Sequence, residues 1–425
     1  VSGAVSSTAS GDWVIIIGPP WARSGSARVI QNQIEFYRNR GYRTLFVGVG
    51  IHWAYWRTSP IWDAFREGAP ELGADHVAVA ALDQNKFIVT KLAATIRHSF
   101  FGTQLDWIVA IGRSAQLLEK DARFIRELRV ALIHVNHVYT LGFAQKIRRK
   151  LVREGKRVPL ILETHDIQSK LLLERGDKNP WTRRPDSLER LVKAEIRLMK
   201  QADVLVHLSV TDFEFFKAEL PQKPHILTMP TINEAFIASA NANNCVSDKK
   251  IDLLFVGQFY HPNLVALEWF FSKVWPLIRE RQYDLKIVGP VDKLVAGTSP
   301  QTYQEFRSYF DGAVADLAPY YRAARCVIAP MVSGTGISIK TIEALALGKP
   351  FVGTSKAFRG MPMEEIESAG LRAYDDPQEY ADAIVRALGD ERKAGARSRA
   401  VYEKVFSIQA ASISRDQAFR LATGT

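Results

Sequence analysis

The sequence predicts an α/β fold built as two Rossmann-like domains with parallel sheets, and three observations predict it. Short apolar runs that end at glycine and lead into a helix-period stretch occur in both halves, at residues 13–17 and 251–256, the strand–loop–helix pattern of doubly wound sheets. Residues 232–250 lack apolar periodicity and are rich in Asn, Ala and Ser, which marks a linker between the halves. The 425 residues exceed one ordinary domain and suffice for two. The expected division is a disordered lead over 1–11, a first domain over 12–232 and a second over 233–404.

In chain order, residues 13–17 form a buried strand that feeds the loop Gly18-Pro19-Pro20. Ser24-Gly25-Ser26 then leads into a helix over about 27–40, with Val29, Ile30, Gln33, Ile34 and Tyr37 on one face, and Gly41 stops it before a strand at 44–47. This is a βαβ unit with an expected right-handed crossover. Its loop lies at the carboxyl end of a strand, where open α/β sheets bind ligands. The spacing of GPPWARSGS is not that of a dinucleotide fingerprint. The aromatic stretch 51–56, with Trp62 and Phe65, reads as core, or else as an acceptor or membrane-interface surface.

A helix over 87–101 and a strand over 105–110 follow. The strand at 130–137 ends in His134, Asn136 and His137, and a helix over 141–151 runs into the basic cluster Lys146, Arg148, Arg149, Lys150, Arg153, Lys156 and Arg157. That cluster is either a solvated face or a dock for anionic head groups. The next strand ends in His165-Asp166, a functional pair or a local cap in which Asp166 starts the following helix. A helix at 188–200 and a strand at 202–208 complete this half; the second has a strand at 251–256, a helix over about 264–281 and a strand at 285–288.

Residues 333–350, SGTGISIKTIEALALGKP, organise the second half. A buried strand at 326–330 leads to Gly334-Thr335-Gly336, where two glycines permit positive φ, and a helix over 337–347 ends at Gly348 and Pro350. Strand, glycine loop and helix N-terminus together make an anion site, though a plain packing loop has the same pattern. Lys340 adds a point charge suited to phosphate. Glu343 would repel a phosphate, so the ligand wanted carries both phosphate and hydroxyl groups, as a nucleotide-sugar does.

Composition sets bounds. A content of 47% hydrophobic and 24% charged residues is that of a soluble globular protein. Cys245 and Cys326 make no disulfide framework, which suits a reducing cytoplasm. The opening VSGAVSSTASGD has neither the basic nor the apolar region of a signal peptide. A net charge of +11 favours anionic partners. Zinc ligands, RNP-like aromatics and recognition-helix patterns are missing, so no nucleic acid is expected, and an anionic membrane, an anionic donor or a basic surface with no specific partner remains.

The run GTGISIKTIEALALGKPFVGT resembles the sugar-nucleotide loop and helix of retaining glycosyltransferases with the GT-B fold, family 4 (glycosyl transferases group 1), most strongly over residues 253–360. The resemblance implies two Rossmann-like domains with parallel sheets facing across a cleft, and a helix at about 405–425 packing back on the first domain. It implies transfer of a hexosyl group from a UDP- or GDP-sugar to a saccharide, lipid-linked or other hydroxyl acceptor, with retention, in polysaccharide or glycoconjugate biosynthesis. The expected setting is cytoplasmic, either free or peripheral on the inner membrane face. Neither a cofactor nor a metal is expected, since no Asp-x-Asp motif stands in a suitable loop.

Residue by residue, Glu343 matches the family's ribose-binding Glu, and Thr335 stands where many members carry the first Glu of a Glu-x7-Glu pair. Gly334, Thr335 and Gly336 would approach the donor. Gly257 and Asn263 lie in the loop where many members carry an Arg and a Lys, here lacking, so Lys340 would meet more of the diphosphate charge, with Arg359. Val314 and Leu317 match the base-reading segment. His165 would sit near the donor sugar as a catalytic residue beside Lys340, with Ser24, Gly25, Ser26, His137 and Asp166 on the acceptor side. A nucleotide-sugar 2-epimerase and a non-catalytic nucleotide-sugar-binding protein are the alternatives.

Overall fold

The computed structural model describes residues 11–21, 25–52, 54–83, 92, 102–152, 157–175, 186–242 and 250–425. The chain forms two compact units, one of residues up to Thr228 with Ser412–Thr425, the other Met229–Ala411.

The first unit holds β1 (Trp13–Gly18), β2 (Arg43–Val49), β3 (His76–Ala81), β4 (Gln116–Leu117), β5 (Val130–Asn136), β6 (Leu160–Thr164), β7 (Val204–His207) and β8 (His225–Leu227). They make one sheet in the order β4-β3-β2-β1-β5-β6-β7-β8. Only the β3–β4 pair among these is antiparallel. Both faces of β1 are covered. Ile15 and Ile17 join one core layer and Val14 and Ile16 the other, so the run is continuously apolar rather than alternating. The crossover helix is Gly25–Arg38.

The second unit is a smaller, wholly parallel sheet of β9 (Ile251–Val256), β10 (Leu285–Val288), β11 (Phe310–Gly312), β12 (Ala324–Ala329) and β13 (Phe351–Gly353). Its order is β11-β10-β9-β12-β13. The winding direction reverses between β1 and β5 in one unit and between β9 and β12 in the other. Such switch points open a crevice at the carboxyl ends of the strands.

Two expectations are corrected. Residues 105–110 are not a strand but lie in the helix Gln104–Ser114, started by a capping box in which Thr103 and Asp106 satisfy each other's backbone N–H. The segment 232–250 is not all linker: Asn233 caps the helix Glu234–Asn241 through Ala235 N–H. The helix foreseen at 87–101 lies outside the described residues, as do Ser24, Arg153, Lys156 and Cys245.

The helix Ile408–Thr423 belongs mainly to the first unit. Asp416 pairs with Arg40 at 2.5 Å, Ser414 accepts from Thr228 Oγ1 at 3.0 Å, and Phe419 packs on Tyr37 and Tyr42. Among the described residues, no helix is long and apolar enough to cross a membrane.

Candidate active site

In the second unit, β9 feeds the helix His261–Trp269 and β12 feeds the helix Ile339–Ala346. These two strand–loop–helix passages flank the switch point and meet through side chains. Lys340 Nζ donates to Asn263 Oδ1 at 2.6 Å, 4.4 Å from the centre of the Phe255 ring. Burial and the nearby charge of Arg359 push the Lys340 ammonium down to about 7. A half-buried cation whose hydrogen-bond acceptor is a neutral amide gains from an anion.

The glycine loop is fitted around this pair. Gly334 and Gly336 adopt φ of +116° and +66°, conformations that L side chains avoid. A Cβ on Gly334 would stand 3.3 Å from Pro262 Cβ, so the loop lies against the first turn of the β9 helix. Arg359 Nε donates to the Thr335 carbonyl at 3.1 Å and ties the loop down from the other side. Glu343 is only 4% exposed, and Tyr321 Oη donates to its Oε2 at 2.7 Å. Tyr321 lies on the helix Ala318–Ala323, which begins just after Leu317. Val314 and Leu317 are half-buried, and Gly257 is buried at the end of β9.

The first unit carries a second cluster, at the ends of β5 and β6. His165 Nε2 lies 2.9 Å from Asn136 Oδ1, and Asn136 and Gln33 exchange two amide hydrogen bonds of 2.9 Å. In this orientation Asn136 Oδ1 accepts the Nε2–H, which leaves His165 Nδ1 as an acceptor. The His165 ring stacks on His137 at 3.9 Å, and His137 stacks on Tyr139 at 4.8 Å. His137 holds φ +65°, a strained backbone for a residue with a side chain. Ser26 Oγ lies 3.3 Å from His137 Nε2. Burial lowers His165 to about 4 and His137 well below its ordinary value. Both rings are therefore neutral near pH 7, fit to orient hydroxyl groups rather than to supply charge.

The profile of the family described as Glycosyl transferases group 1 matches residues 250–390. Among solved structures, the sucrose-phosphate synthase of Thermosynechococcus elongatus is similar at 15% identity and TM-score 0.61, over 96% of this chain and 98% of that one. Anabaena HepE in complex with UDP-glucose is similar at 16% identity and TM-score 0.57, over 95% and 98%. The α,α-trehalose 6-phosphate synthase of Burkholderia multivorans is similar at 13% and 0.58, over 96% and 98%. A search of curated protein sequences found no match. The residues that the profile matches lie within the second unit. The fold is GT-B, two Rossmann-like α/β units in one chain.

Within the matched segment, Gly334, Thr335, Lys340 and Asn263 form one connected set, and Glu343 and Leu317 are linked through Tyr321. In the first unit His165, His137 and Ser26 come together, Gly25 opens the crossover helix, and Asp166 is half-buried beside His165. The N–H groups that begin the helix after Asp166 are not its own to cap. Glu195 accepts from Gln168 N and Ser169 N at 2.9 Å each. Sequence reasoning also missed Gln33 and Tyr321, which act through partners distant in sequence. Of the basic cluster, Arg148 is buried against Val158 O and Asp203, and Lys146 donates to Ala115 O at 2.8 Å, so both serve the fold.

Proposed function

We propose that the protein transfers a hexosyl group from a nucleotide-sugar to a hydroxyl acceptor with retention of anomeric configuration, without a bound metal or cofactor. The observation that carries this reading is the Lys340–Asn263 pair set beside a glycine loop at the β9–β12 switch point, inside the segment that matches the group 1 profile. Lys340 would neutralise charge developing on the departing diphosphate, aided by the amino end of the helix Ile339–Ala346. Glu343, oriented by Tyr321, would bind ribose hydroxyls. His165, neutral and fixed by Asn136, would orient a sugar hydroxyl. The solved relative HepE was crystallised with UDP-glucose, which makes a UDP-sugar the first donor to try.

A thermal-shift panel of UDP-, GDP-, ADP- and dTDP-sugars tests the reading, because selective binding raises stability in proportion to the logarithm of [L]/Kd. One donor class should stand out. Lys340→Ala should abolish its shift and cost about 2–4 kcal/mol of transition-state stabilisation in kcat/KM. A flat panel would remove the donor assignment, and a variant with unchanged kinetics would remove Lys340 from the site. Proton NMR of the product's anomeric centre, in buffer with EDTA, decides retention and the need for a metal.

A further inference from the structure

We propose that Phe259, with Tyr260 beside it, is a platform for a sugar ring at the lip of the Lys340 site, a proposal that rests on the nucleotide-sugar reading. Residues 258–261 are exposed in succession, immediately after the buried end of β9. Phe259 is 63% exposed and Tyr260 40%. Aromatic surface left in water beside a ligand crevice does nothing for the fold and suits a binding contact.

The turn that displays Phe259 is fixed. Tyr260 N–H donates to Gln258 O at 2.7 Å, which makes Phe259 the central residue of a three-residue turn. Asn263 Nδ2 donates to the same carbonyl at 2.9 Å, while Asn263 Oδ1 accepts from Lys340 at 2.6 Å. One side chain thus holds both the aromatic turn and the ammonium group. Pro262, three residues beyond Phe259, is the residue that the glycine loop lies against. The anion site and the exposed rings are therefore built as one piece.

The chemistry that matches is a pyranose. One face of such a ring presents polarised C–H bonds, and an aromatic face carries the complementary negative quadrupole. The ring could come from the donor's hexose or from an acceptor saccharide. Calorimetric titration of the full chain separates the sources, using UDP-glucose, UDP, and glucose added to UDP-saturated protein. If the panel selects another donor, its sugar nucleotide and bare diphosphate replace these.

Phe259→Ala should weaken UDP-glucose about three- to tenfold while leaving UDP unchanged, with recovery in Phe259→Trp, if the donor hexose is the occupant. A loss for glucose alone assigns the acceptor sugar. Equal losses for UDP and UDP-glucose, or no loss in any titration, would overturn the platform. The melting temperature should not move, since the ring is exposed, and a drop would mark Phe259 as structural instead. Failure of the wild type to bind any nucleotide would reject the underlying donor reading, separately from these outcomes.

Discussion

An ammonium group withdrawn from water and set near the Arg359 charge gives up its proton more readily than one in water. Lys340 is accordingly held down at about 7, against 10.5 for an ordinary Lys. For the free protein the sign is definite. Between those two values the unfolded chain binds the proton and the folded chain does not, so this group makes stability rise with pH across that window. A diphosphate in the crevice reverses the preference and restores the charge. At about pH 8, binding of the donor nucleotide should therefore take up close to one proton, and affinity should fall as pH rises above about 7. Calorimetry in buffers of different ionisation enthalpy reads the uptake directly. Buffer-independent heats for the wild type, or the same uptake in Lys340→Met, would place the phosphate elsewhere.

At the scale of the element, the loop between β12 and its helix depends on two left-handed glycines, and Gly334 also lacks room. Gly334→Ala should cost about 1–3 kcal/mol through backbone strain, and displacing the loop from Pro262 should weaken donor binding at least as much. Gly297, in the helix Val291–Thr298, has nothing within 4 Å of a Cβ. Its replacement by Ala should stabilise by about 0.5–1 kcal/mol and leave binding alone. Normal donor affinity in Gly334→Ala would show that the loop is packing rather than site. This loop was legible in the sequence because glycine, cation and helix stop are local signals. The helix at Gln104–Ser114 was misread as a strand because a short apolar run fits either period; the deciding signal, Thr103 three residues before Asp106, was present. The partners that finish the site were not legible. Asn136 meets Gln33 from 103 positions away, and Tyr321 meets Glu343 across 22, pairings that only the strand order creates.

At the scale of the whole molecule, the chain's last helix returns a charge to the interior of the first unit. Arg415 is buried, and its charge acts on Glu163 near the carboxyl end of β6, beside His134, whose Nε2 lies 3.2 Å from Glu163 Oε2. Tyr37 Oη closes the chain with His134 Nδ1 at 2.8 Å. Burial alone would raise Glu163, yet the His134 contact and the Arg415 charge outweigh it and hold the carboxyl at about 2, below its ordinary 4.5. The stabilisation tied to its ionised form is thus complete above the ordinary value and is lost as pH falls toward the lower one. The surface pair Arg40–Asp416 on the same helix is partly solvated and should contribute about 0–1 kcal/mol. Arg415→Met keeps the helix and its length but leaves Glu163 with less compensation, which should destabilise the protein at neutral pH by more than the surface control does. At about pH 4 the variant's Glu163 can protonate at little cost, so the deficit should shrink there. Urea unfolding at both pH values measures this, with Asp416→Asn as the surface control. A deficit for Arg415→Met no larger than the control's, or one that does not shrink in acid, would show that the Arg415 charge does not compensate Glu163.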